Sequence, residues 1–254
     1  MRMRPDASDK LASVGPRKGP SKAVIATVVG LVAVLAIGLV AFMSLRKDET
    51  PQATSAKSLP QGAMAGGKGM PVFADKAKDS AKTVDVYLDF QCPFCGKFET
   101  AQGEKLTELA KSGDIKLNYH VKTFLDENIP GDNSARAANA AFCSANAGKF
   151  AEFTRETFEN QPEEGKGYTQ DDLLVFGKNV GISDGAESAF ASCVKNNTYG
   201  SYVEQTEEQT NKDGVNSTPV VKINGKDVEN ADMAGMMNIE GSTPTTIDKV
   251  LAKS

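Results

Sequence analysis

Histidine and cysteine, the common soft ligands of structural metal sites, are scarce in this chain: one histidine and four cysteines in 254 residues. A four-cysteine zinc site needs two close pairs. Only one close pair exists, Cys92 and Cys95, whereas Cys143 and Cys193 stand 50 residues apart. The lone His120 lies in the strand-like run Ile115 to Val121 and reads as an ordinary strand residue rather than a ligand or base. No metal and no cofactor is expected. Basic residues are also short where a nucleic-acid partner would demand them. Residues 1–22 carry six basic and two acidic side chains, leaving a net of −8 over residues 44–254. Contact with a phosphate backbone needs concentrated Lys and Arg, so nucleic acid is excluded as a partner. The excess acid reads as a means of keeping the domain soluble. Internal repeats are absent.

Charge is missing altogether from Ala23 to Met43, 21 consecutive residues dominated by Val, Ala, Leu and Ile. A helix of that length, at about 1.5 Å per residue, spans roughly the 30 Å hydrocarbon core of a bilayer. The other reading is a cleaved signal peptide. Against it stand the 22-residue arm ahead of the run, the length of the run itself, and the lack of a close small-residue cleavage site. Arg2, Arg4, Lys10, Arg17, Lys18 and Lys22 precede the span, and only Arg46 and Lys47 closely follow it. The positive-inside rule then predicts a single-pass protein with residues 1–22 in the cytoplasm and the remainder outside. That side of the membrane is where disulfides persist. Residues 44–70, rich in Ala, Ser, Gly, Lys and Gln, read as a flexible linker unable to bury a core.

The folded remainder, 71–254, suffices for one compact domain with an insertion. Pro71-Val72-Phe73 is a candidate edge strand, and Val84 to Phe90 a second strand. Cys92-Pro93-Phe94-Cys95 follows directly, opening a helix that runs to Lys111 with a bend at Gly103. Gly113 suits a helix C-cap, and the strand 115–121 completes a βαβ unit with parallel pairing. From about 130 to 212 the pattern is helical: Ser134 to Ala147, Phe150 to Asn160, a segment starting at Thr169, Asp184 to Lys195, and Tyr199 to Asn211. Strand pattern returns at Val220 to Ile223 before the Asn224-Gly225 turn. A terminal helix is predicted to open at Thr243-Pro244 and to bury Ile247, Val250 and Leu251.

A pair of cysteines two residues apart serves redox, metal or structural purposes. Its position at a strand-to-helix junction favours redox. Pro93 fits the first helical position, where its missing N–H costs nothing. Cys92 then falls at the N-cap, where its sulfur is expected to accept a bond from an orphan backbone N–H, an interaction that favours the thiolate. Cys92 is therefore the expected nucleophile and Cys95 the resolving thiol.

The run Asp89-Phe90-Gln91-Cys92-Pro93-Phe94-Cys95 resembles the DsbA-like branch of the thioredoxin superfamily. So do Thr218-Pro219 ahead of Val220-Val221-Lys222-Ile223-Asn224-Gly225-Lys226 and the helical segment between the two halves. The resemblance covers roughly residues 71–254. It implies an α/β thioredoxin-like fold with an inserted helical domain, here preceded by a transmembrane helix and tether. It also implies a thiol–disulfide oxidoreductase in which Pro219 is cis and packs against the cysteine pair. Thr218 would then offer its backbone to an extended substrate. The partners implied are reduced or unfolded exported proteins and a quinone-linked membrane reoxidant. A reductase or isomerase on the same scaffold, or a metal-binding adaptor, are the rivals. One departure stands out. The superfamily commonly carries a buried acid six residues before the first cysteine, and here that residue is Val86, with Asp85 and Asp89 nearby. The Pro-Phe dipeptide also lacks the histidine of strong oxidants, so oxidising strength is expected to rest on the helix terminus. In an oxidising compartment Cys143 and Cys193 are expected to form a structural disulfide; closing a loop of about 50 residues contributes about 4 kcal/mol in the chain-entropy picture. Met233, Met236 and Met237 read either as core or as a soft apolar patch for varied substrates.

Overall fold

A computed structural model describes residues 58–254. The arm 1–22, the apolar run 23–43 and the first part of the linker lie outside the described residues. Among the described residues no helix is long and apolar enough to cross a membrane.

Five strands form one mixed sheet in the order β1-β3-β2-β4-β5: β1 Met70–Val72, β2 Lys82–Asp89, β3 Ile115–Lys122, β4 Val220–Ile223 and β5 Lys226–Asp227. β2 and β3 run parallel, with Val86 opposite Tyr119 and Asp89 opposite Lys122. β4 lies antiparallel to β2, and β1 antiparallel to β3. The βαβ unit expected from the sequence is present. Its crossover begins with α1 (Pro93–Phe98), passes through a π-helical turn at Glu99–Gly103 and continues as α2 (Glu104–Lys111). Gly103 is thus the end of a widened turn rather than a simple bend, and Gly113 closes the helix at φ +76°.

The insertion holds five helices: α3 Asn133–Ala145, α4 Phe150–Glu159, α5 Gln170–Asn179, α6 Asp184–Lys195 and α7 Gly200–Lys212. Thr169 opens α5 with a capping box, its side chain accepting from Asp172 N while the Asp172 carboxylate accepts from Thr169 N. The chain ends with α8 (Asn230–Met236) and α9 (Ile247–Lys253). The expected start of the last helix at Thr243 is corrected by three residues: Thr246 is its N-cap, because Thr245 N is already bonded back to Gly235 O. Helix α8 was not anticipated.

Alternation along β2 divides the core. Val84, Val86, Leu88 and Phe90 are buried on one face. There Gln102 of the π-turn donates to Met236 O and accepts from Ile247 N, tying the crossover to α8 and α9. Asp85, Tyr87 and Asp89 lie on the other face with Asn118, His120 and Lys122 of β3. Helix α7 closes that side: fully buried Lys122 donates to Glu207, Thr210 and Asn211, each at 2.9 Å.

The linker boundary at residue 70 also needs correction. Residues 58–69 belong to the folded unit, despite their low apolar content, because α7 holds their backbone. The Tyr202 hydroxyl lies 2.8 Å from Met64 O and 3.0 Å from Gly69 O. Gly67 approaches so closely that an added Cβ would meet Gln205 O at 2.2 Å. Small residues that read as tether are here the means of close backbone contact.

Candidate active site

The reactive pair sits where β2 gives way to α1. Cys92 has extended backbone (φ −73°, ψ 117°) and is the N-cap of α1, with Pro93 at the first helical position, as the sequence requires. Its carbonyl accepts the first helical bonds, from Cys95 N at 3.0 Å and Gly96 N at 3.2 Å. Both sulfurs are reduced, and both residues are buried, at 6% and 1% exposure for Cys92 and Cys95. The Thr218–Pro219 peptide bond is cis. It places the Thr218 carbonyl 3.5 Å from Cys92 Sγ, close enough to accept from the thiol.

The two sulfurs differ sharply. Cys92 is lowered from 9.0 to about 6, first because the Cys95 thiol donates to it, with the Thr218 side chain and the backbone N–H groups of Cys95 and Phe94 adding to the effect against the cost of burial. Cys95 is pushed well above 9.0, chiefly by burial and then by its neighbour. The expected capping bond is corrected: the Cys92 sulfur makes none, and its acidity comes first from its partner thiol.

A groove of about 510 Å³ opens beside the pair. Phe94, 49% exposed, forms one wall, and Thr218, Pro219, Met233 and Met237 line it. Of the three methionines, Met236 is fully buried core, while Met233 and Met237 face the groove. Cys143 and Cys193 are bonded to each other, joining α3 to α6 inside the insertion.

Two buried carboxyls flank the pair. Asp89 accepts from Gln91 N (2.9 Å), Ser134 Oγ (2.6 Å) and Leu125 N (3.2 Å). Burial still raises it to about 7. Gln91 extends this network by donating to Asp126 and Ser134, both at 2.8 Å, so the loop before Cys92 is tied to the start of α3. Glu99, one turn past Cys95, was missed in the sequence. It is 2% exposed and accepts from Tyr119 Oη at 2.9 Å, and its Oε2 has no partner. Burial lifts it to about 7. Tyr119 lies opposite Val86 in the sheet, so a carboxyl from the helix occupies the neighbourhood where β2 carries none. The signal available was helical spacing: Glu99 follows Cys95 by four residues on the same buried face as Phe98. His120 is a sheet residue, 2.9 Å from Asp85 and stacked on Tyr87 at 4.3 Å. Among the described residues no group of His, Cys, Asp or Glu is arranged to hold a metal.

Residues 77–240 match the family described as Thioredoxin. The chain belongs to the thioredoxin family. Solved structures agree with that membership. MdbA, a thiol-disulfide oxidoreductase from Corynebacterium diphtheriae, is 25% identical with a TM-score of 0.58, covering 70% of this chain and 91% of its own. Oxidised DsbA from Mycobacterium tuberculosis is 26% identical with a TM-score of 0.55, covering 73% and 98%. Among curated proteins, Disulfide bond formation protein D of Bacillus subtilis is 24% identical over 168 residues, covering 64% of this chain and 71% of that protein. Serine/threonine-protein kinase PknE of Mycobacterium tuberculosis is 27% identical over 119 residues, but this chain spans only 21% of the kinase's length.

Proposed function

We propose that this chain is a protein thiol–disulfide oxidoreductase of the DsbA type, an oxidase that introduces disulfides into exported proteins. The observation that carries the reading is the contrast between its sulfurs, with Cys92 lowered to about 6 and Cys95 raised. A dithiol whose leading sulfur is stable as the anion releases that sulfur readily, so its disulfide is a good oxidant. DsbA is the well-known example of an oxidant whose strength comes from a stabilised reduced form.

In the cycle, a substrate thiolate attacks Cys92 Sγ of the Cys92–Cys95 disulfide. The bond between the two enzyme sulfurs breaks, a mixed disulfide forms on Cys92, and Cys95 leaves and takes up a proton, as its burial favours. A second substrate thiolate then attacks the substrate sulfur of the mixed disulfide and expels Cys92 as thiolate. The substrate has lost two electrons and the enzyme has gained them. The groove lined by Phe94, Met233 and Met237 receives the substrate chain beside Thr218 and Pro219. A quinone-linked membrane partner returns the pair to the disulfide. Residues 23–43 anchor the enzyme as a single span, with the catalytic domain outside the cytoplasm; the uncharged run and the basic arm support this placement.

Cys95→Ser retains the Cys92 thiol and removes the one that, by attacking Cys92 Sγ, would resolve a mixed disulfide back to the enzyme disulfide. The expected result in cells is an accumulation of mixed disulfides between this variant and exported proteins. Absence of such adducts would favour an adaptor. The redox equilibrium of the wild type with glutathione sets the direction: a potential as reducing as that of thioredoxin assigns the chain to a reductase instead.

A further inference from the structure

One side chain of the insertion reaches the backbone of the reactive loop. Gln161 stands two residues past the end of α4, and its Nε2 donates to Phe90 O at 2.8 Å and to Cys92 O at 3.0 Å. Both N–H bonds of one carboxamide are therefore committed to carbonyls on either side of Gln91. The other end of the amide accounts for a glycine in the active-site helix. A Cβ added at Gly96 would lie 2.3 Å from Gln161 Oε1. Gly96 is buried in α1, a position where glycine destabilises a helix relative to alanine. The room left by its missing side chain is taken by Gln161.

Dipole orientation gives this contact a chemical consequence. A carbonyl oxygen facing a sulfur opposes its ionisation, and an N–H facing it promotes ionisation. The orientation of the peptide units around Cys92 therefore matters, and Gln161 fixes the carbonyl of Cys92 itself and that of Phe90, two residues before it. Phe90 O is engaged a second time, 3.3 Å from the Tyr168 hydroxyl, and the Phe90 ring stacks on Phe158 of α4 at 5.0 Å. Gln161 holds both carbonyls, Cys92 O while it also takes the first bonds of α1 from Cys95 N and Gly96 N, and the N–H groups of Phe94 and Cys95 favour the Cys92 thiolate.

We propose that Gln161 is a positioning residue for the redox pair: through this one carboxamide the helical insertion holds the Phe90–Cys92 backbone in the geometry that favours the Cys92 thiolate. The inference rests on the reading of Cys92 as the leading sulfur and adds the residue that tunes it.

Gln161→Met in the full chain keeps the length of the side chain and removes both N–H donors. Two readouts are taken: the ultraviolet absorbance of the thiolate against pH, and the equilibrium with glutathione. The Cys92 titration is expected to move up by about half a unit to one unit, shifting the equilibrium about three- to tenfold toward the enzyme disulfide. Gly96→Ala displaces the carboxamide from the opposite side and is expected to reproduce the same shifts with Gln161 intact. Because both changes break one contact, the double variant should shift no further than the larger single one. Should Gln161→Met not fold, Gly96→Ala carries the test alone. If the substitutions lower Tm in both redox forms yet leave the titration and the equilibrium unmoved, Gln161 is only structural and the proposal is overturned. A wild-type Cys92 that titrates like free cysteine removes the oxidase reading before any variant is made. An acidic wild-type Cys92 unchanged by either substitution removes only this inference.

Discussion

Cys92 and Cys95 are the same side chain one helical turn apart, and their surroundings drive them in opposite directions. At the residue scale this difference links chemistry to stability. The folded-state pKa of Cys92, about 6, lies below the ordinary 9.0. A depressed acid stabilises the fold above its unfolded pKa, and that contribution is lost as pH falls through the folded value. The reduced protein is therefore expected to gain on the oxidised one, in Tm, as pH rises from about 5 to about 9, and Cys92→Ala, which forms no such disulfide, should lack the part of the reduced protein's pH dependence that Cys92 contributes. A difference between the redox forms that ignores pH would contradict the assignment. Cys92 and Cys95 were legible in the sequence because proline position, spacing and strand context are local. Their relative acidity was only partly legible, since the largest influence on Cys92 is the Cys95 thiol rather than the helix end.

Among the elements, the active-site helix departs most from regularity. Its π-turn at Glu99–Gly103 carries a buried carboxyl, and a Cβ at Gly103 would sit 2.8 Å from Glu99 Cδ. Glycine at 103 was visible as an interruption, but helical propensity does not distinguish a bend from a widened turn. Glu99 offers a second test of the linkage, with the opposite sign. Its folded pKa of about 7 exceeds 4.5, so the folded state favours the protonated acid, and stability is lost as pH rises through about 7. Glu99→Gln keeps an acceptor for Tyr119 without the charge, and is expected to flatten this slope and to raise stability near pH 8 by about 2 kcal/mol. Denaturant titrations at about pH 5 and pH 8 check it; an unchanged slope would show that the Glu99 carboxyl is not titrating in the core. Helix α8 escaped the sequence reading for a different reason. Its seven residues, Asn230 to Met236, include Asn, Asp and Gly, so local preference is weak, and burial of Met233 and Met236 supplies what propensity lacks.

For the whole molecule, the question is how an insertion of five helices stays in register with a sheet whose strands bracket it in sequence. Covalent and polar ties divide the task. The Cys143–Cys193 bond staples α3 to α6 within the insertion. Asp89, Gln91, Ser134 and Asp126 bind the start of α3 to the end of β2, and Lys122 with Glu207 binds α7 to β3. Replacing Cys143 and Cys193 together by alanine is expected to lower unfolding stability by about 4 kcal/mol, the chain-entropy contribution of a loop of this size. Redox turnover of Cys92 and Cys95 should persist under conditions where the variant remains folded. A loss below about 1 kcal/mol would mean that the polar ties alone hold the insertion.

Sequence by itself determined the features whose causes are local: the strand–CPFC–helix junction, the order of helices in the insertion, the helix start at Thr169, and the Thr218-Pro219 segment before a strand. Tertiary structure alone decided the meeting of distant residues. It set Thr218 against Cys92, Tyr202 against a segment that reads as linker, Glu99 beneath Tyr119, and Gln161 across Gly96. Periodicity and spacing report a residue's own preference and face. Desolvation and hydrogen bonding depend on which neighbours the folded chain delivers, and those two effects govern the acidity on which the reactive pair relies.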